Sequence, residues 1–143
     1  MMVSLKLCRR SLLICSALIV AVAVVLVAGV IPPVKADTSP VAQPKSAAAA
    51  FLMHVIFSLL IAAILGAVAI RTRGRGDGSR IVLGFMAFFV LVLALTLTDA
   101  AFAFGAEGHA MQTTSTLLFF CTAIEYLAAV LVATTAVLLP KQT

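Results

Sequence analysis

STLLFFCTAIEYLAAVLVATTAVLL, residues 115–139, is 25 residues long, holds one acid, Glu125, and is closed by Pro140. At about 1.5 Å per helical residue, such a run exceeds the roughly 30 Å of a bilayer's hydrocarbon core. A carboxylate part of the way along a lipid-spanning helix is costly without a partner, a proton or a wet cavity. How Glu125 is accommodated is therefore the main chemical question this chain poses.

The rest of the chain is built in the same way. Of its 143 residues, 64% are hydrophobic and 10% charged, and the mean hydropathy is +1.24. A soluble domain of this size cannot hide that much apolar surface. Long unbroken apolar blocks, without strict alternation, fit helices in contact with lipid. Besides residues 115–139 the blocks are Ser11–Val30, Ser46–Ile70 and Ile81 to about Phe104. The expected fold is an all-α integral membrane protein, a four-helix transmembrane bundle.

The first block supports two readings. Met1–Arg10 is a short basic leader, and the next twenty residues carry neither charge nor proline. That length suits an uncleaved signal anchor. Val34-x-Ala36 before Asp37 also fits a signal peptide cleaved after Ala36, which would leave three helices. The organisation read here is a leader with its first span at 1–36 and a three-helix membrane domain at 37–143. Pro32 and Pro33 are expected to break the first helix.

The net charge of +5 does not describe a nucleic-acid stripe, because the basic residues sit at the ends of the apolar blocks. RTRGRGDGSR, residues 71–80, reads as an arginine-rich cytoplasmic loop, with Arg71, Arg73, Arg75 and Arg80 setting topology and touching lipid head groups. With the N-terminus inside, Lys6, Arg9, Arg10, these four and Lys141 are cytoplasmic, and only Lys35 and Lys45 are outside. Both termini are then cytoplasmic. The three cysteines give no disulfide framework.

Polar candidates follow from depth. Glu125 is about 15 Å in from the start of its block, near mid-membrane. Asp99, about 28 Å from Arg80, falls at the outer interface. His54 lies in the outer third of the second span, and His109 in the turn between the last two. Cys121, Glu125, Ala129 and Ala133 recur at four, which puts Glu125 on a small-residue, helix-packing face. Ser58, Ala62 and Gly66 form a similar face on the second span. Thr96 and Asp99 share a face, so that the hydroxyl could orient the acid.

Residues 88–106, FFVLVLALTLTDAAFAFGA, look like the carboxylate helix of an ATP-synthase proteolipid. The preceding span departs from that family by lacking its glycine ladder, with Gly66 alone in its core. Length and layout are also similar to four-span plant membrane proteins of the casparian-strip type, without the arginine that they carry in the first helix. No family is assigned on these grounds.

Two histidines on separate elements, with no HxxxH or CxxC spacing, give no expectation of a metal or cofactor. No catalytic triad order or nucleotide loop stands out, so no enzyme is expected. The expected role is an accessory or scaffold subunit of a larger membrane complex, partnered by the bilayer and by other subunits or its own copies. The alternative is proton or cation transport through Glu125, with Asp99 at the outer mouth.

Overall fold

Each apolar block forms a long helix. The computed structural model describes residues 2–36, 44–71, 76–106 and 112–139. Helix α1 covers Met2–Val25 and continues through a π-turn, Leu26–Val30, into the short α2, Ile31–Ala36. Helices α3 (Pro44–Arg71), α4 (Gly76–Ala106) and α5 (Gln112–Leu138) complete the chain. Four stretches, Lys6–Val34, Ala48–Arg71, Arg80–Gly105 and Gln112–Leu138, are long and apolar enough to cross a membrane.

Two boundaries differ from the sequence reading. The helix does not stop at Pro32 and Pro33. Ile31 N–H bonds to Leu26 O, five residues back, and the prolines then fall in the first turn of α2. They directly follow the wider-wound segment, where the i→i−4 bonding that a proline ring disrupts has already given way to i→i−5 bonding. At the other end, α4 begins at Gly76, so only residues 72–75 of the arginine segment lie outside the described helices.

α1 packs on both α3 and α5, α5 packs along α4, and α3 touches α4 only over a short length. The core is divided in two. One apolar cluster joins Leu12, Cys15 and Ile19 of α1 to Leu65 of α3, Val90 of α4 and Val132 of α5. The other joins Val22 and Leu26 to Phe51, Leu97, Ala101 and Leu118. Phe51 and Phe104 stack within it with ring centroids 6.0 Å apart.

The helices are also stitched by small polar side chains. Ser16 Oγ donates to Ala62 O at 2.9 Å, and Ser115 Oγ to Ala101 O at 2.9 Å. Thr135 Oγ1 and Ser11 Oγ share a hydrogen bond of 3.1 Å. Hydroxyls and thin side chains let helices approach closely, which is how bundles pack where lipid removes the usual apolar driving force.

Candidate functional site: a polar layer at mid-bundle

Between the two apolar clusters lies a thin polar layer. Its boundaries are Ile19 and Val22 on α1, Phe51 and Ile61 on α3, Val90 and Leu97 on α4, and Cys121 and Ala128 on α5. His54, Ser58, Thr96 and Glu125 belong to it. His54 Nε2 and Glu125 Oε1 are 2.8 Å apart, with His54 7% exposed and Glu125 1%. The acid that looked expensive in the sequence therefore has a buried partner, supplied by α3.

Thr96 completes the group from α4. Its Oγ1 donates to Leu93 O at 2.7 Å and stands 3.5 Å from His54 Nδ1. A hydroxyl has one hydrogen, and Leu93 O takes it at the shorter distance, so the weaker contact is met by hydrogen on Nδ1. One further proton then lies between Nε2 and Oε1. On nitrogen it makes an imidazolium–carboxylate pair, and on oxygen an imidazole–carboxylic acid pair. Either form has no net charge, the arrangement that low-dielectric surroundings tolerate.

The layer is not fully satisfied. Glu125 Oε2 and Ser58 Oγ are buried, and neither has a hydrogen-bond partner among the described residues. Ser58 is one turn from His54 on the same face of α3, so the two open valences belong to one layer. Buried polar atoms without partners are uncommon in folded proteins.

Four threonines of α5 bond back to their own helix. Thr116, Thr122, Thr134 and Thr135 each donate to the carbonyl four residues back, at 2.7–2.9 Å. Thr98 Oγ1 does the same to Ala94 O and approaches Tyr126 OH at 3.4 Å.

The remaining sequence candidates separate. Asp99 is exposed on α4, and the Thr96 hydroxyl is engaged with Leu93 and His54 in place of it. Ser58 and Ala62 are buried and Gly66 half-buried, with Ser16 of α1 against this face. Ala129 is buried, but Ala133 is exposed. A four-residue repeat drifts by about 40° per step in an α-helix, so three steps from Cys121 carry Ala133 off the buried face. The face continues through Val132 and Thr135 instead.

Arg71 is exposed, whereas Arg80 is half-buried and chemically engaged. Its Nε donates to Ala136 O at 3.0 Å and its Nη2 to Val137 O at 2.8 Å, closing the C-terminal end of α5. Arg73, Arg75 and His109 lie outside the described residues. Among the described residues no three His, Cys, Asp or Glu side chains converge as a metal site.

Two contacts go beyond the sequence reading, that of Thr96 with His54 and the capping of α5 by Arg80. Thr96 carries a faint signal, a hydroxyl mid-span in an otherwise apolar run. Arg80 carries none beyond its charge. Comparison with protein families, curated proteins and solved structures finds no match to the chain.

Proposed function

We propose that this protein is a small multi-pass membrane protein acting as an accessory or scaffold subunit of a larger membrane assembly. The observation that carries this reading is the internal bond between His54 and Glu125 at 2.8 Å. The two most reactive side chains of the interior are spent on each other, across helices that are not neighbours, which fixes how the bundle closes. The test is migration of the chain from its native membrane in mild detergent. Co-migration with other subunits at fixed stoichiometry is expected, and a chain that travels alone would defeat the proposal.

In this reading all four spans are kept. Ser16, Cys15 and Ser11 of α1 reach Ala62 O, Ala128 O and Thr135, which supports α1 as a working helix of the bundle. A mature mass beginning at Asp37 would contradict it. The bias of basic residues supports cytoplasmic termini. A cysteine at Ser79 that reacts only from outside would reverse that orientation.

A second reading is proton handling by the same pair, supported by the open valence on Glu125 Oε2. Proton flux in reconstituted vesicles that vanishes with Glu125→Gln would favour it, and unchanged flux would remove it.

A further inference from the structure

α4 turns one face away from the rest of the bundle. Phe85, Phe88, Val92, Thr96, Asp99 and Phe102 are all exposed, and at helical spacing they fall within an arc of about 120°. α3, the helix that precedes α4 in the chain, covers little of α4. Lipid satisfies the phenylalanines and valine of this stripe. It does not satisfy Asp99, which has neither a hydrogen bond nor an ion pair among the described residues. Asp99 stands six residues before Gly105, and because this 26-residue span is about 39 Å long against a hydrocarbon core of roughly 30 Å, the acid lies a few ångströms inside the outer edge of that core.

Resting on the accessory-subunit reading, we propose that this stripe receives one transmembrane helix of a different protein, and that this helix presents a lysine or arginine to Asp99. A base within a membrane helix is as costly alone as the acid is, so pairing them solves both problems at once. The aromatic side chains on either side supply the close apolar contact, and Thr96 offers a second polar point one turn from Asp99.

A second copy of this chain fits the stripe poorly. Lys6, Arg9, Arg10, Arg71 and Arg80 belong to the opposite end of the bundle. Lys35 and Lys45 fall outside the spans Lys6–Val34 and Ala48–Arg71, whereas Asp99 lies well inside its own. With span ends level, Lys35 stands one residue and Lys45 three residues above their spans, about 10 Å and 13 Å above Asp99 along the helix axes, with the roughly 8–10 Å between packed axes to cross as well. That is beyond the reach of a direct ion pair.

Occupation of the stripe would also be felt inside. The Thr96 oxygen that belongs to the outward face is the one 3.5 Å from His54 Nδ1. A partner that bonds to Thr96 alters the environment of the His54 ring, which gives a readout at a residue the partner never touches.

The test uses the full chain in phosphatidylcholine vesicles with a synthetic leucine–alanine helix of about 23 residues. One peptide carries a lysine at the depth of Asp99 and the other a leucine at that position. The lysine peptide is expected to bind at least ~10-fold more tightly, with Asp99→Asn abolishing the difference and a labelled His54 ring shifting only with the tighter binder. Asp99 is exposed, so the Asn variant is expected to melt with the wild type and to report on binding alone. Equal binding of the two peptides, or no effect of Asp99→Asn, overturns the proposal. So does efficient cross-linking between copies through Val92→Cys that excludes the peptide. If native co-migration survives Asp99→Asn undiminished, the accessory reading stands and this face is wrong. If the wild-type chain migrates alone, the reading fails and the proposed partner goes with it.

Discussion

His54 and Glu125 stand 71 positions apart in the chain, yet their side chains meet at 2.8 Å in the interior. They belong to α3 and α5, which are held together mainly through α1 on one side and α4 on the other. The pair is thus a strut across the bundle. His54→Leu leaves Glu125 buried without its partner and is expected to cost about 2 kcal/mol of stability, more than a typical membrane hydrogen bond. Glu125→Leu removes the acid itself and should cost less. The double variant should be more stable than the sum of the two losses predicts, with a coupling of at least ~1 kcal/mol. Unfolding in mixed micelles measures all three, and additive losses would show that the contact contributes nothing. Glu125→Gln keeps a hydrogen bond to the ring and should stay within ~0.5 kcal/mol of the wild type.

Arg80 is predicted to matter for the end of α5, a helix that begins 32 residues after it. Arg80→Ala leaves the carbonyls of Ala136 and Val137 without their guanidinium donors, a loss of about 1–2 kcal/mol. Arg80→Lys should recover only part, because an ammonium cannot hold both oxygens in the fork geometry. Hydrogen exchange at the last amides of α5, including Leu139, reports the effect. Unchanged protection in Arg80→Ala would mean that the cap is idle.

Two glycines are expected to respond oppositely to alanine. A Cβ on Gly66 would sit 3.9 Å from Ser16 Oγ, an ordinary contact, so Gly66→Ala should be neutral or slightly stabilising through helix propensity. A Cβ on Gly105 would stand 3.1 Å from Ser115 Oγ, which is already held at 2.9 Å by Ala101 O. Gly105→Ala should therefore lower the melting temperature. If both variants melt together, the α4–α5 approach is looser than described.

Cysteine chemistry offers a check on packing. Cys8, Cys15 and Cys121 are all free and buried. Alkylation by a maleimide should be at least ~10-fold slower in the folded protein than after denaturation. Rapid labelling of Cys15 or Cys121 without denaturant would contradict the placement of α1 against α5.

The four spans were legible because uncharged runs of that length have few alternatives. Ser58 and Ala62 were legible as a packing face for the same kind of reason, since helical spacing determines which residues share a side. What helical spacing cannot say is which helix lies opposite. It could place Glu125 at mid-depth and His54 in the outer third of its span, without saying that the two meet. It also followed a four-residue repeat one step too far at Ala133, where drift had already turned the face outward. Arg80 was read as a charge at a membrane boundary. Its hydrogen bonds span 56 and 57 positions and leave no local trace. Pro32 and Pro33 read as a stop because proline interrupts a helix interior, and they directly follow a π-turn, where the regular bonding has already changed.

The π-turn that carries α1 to those prolines also corrects phase. From α1 into the π-turn the buried seam runs Cys8, Leu12, Cys15, Ile19, Val22 and Leu26, alternating steps of four and three, with Ala23 buried beside Val22. That is the rhythm of a left-handed supercoil seam. The next two, Val30 and Val34, each follow after four, the signature of a stutter. In unbroken α-helix those steps would carry Val34 about 80° around the axis from Leu26. The wider winding of Leu26–Val30 turns less per residue and opposes that drift, so both valines still meet the core. The end of α1 thus behaves as a vernier: one residue removed between Leu26 and Val30 would restore regular winding at the cost of re-aiming everything beyond it.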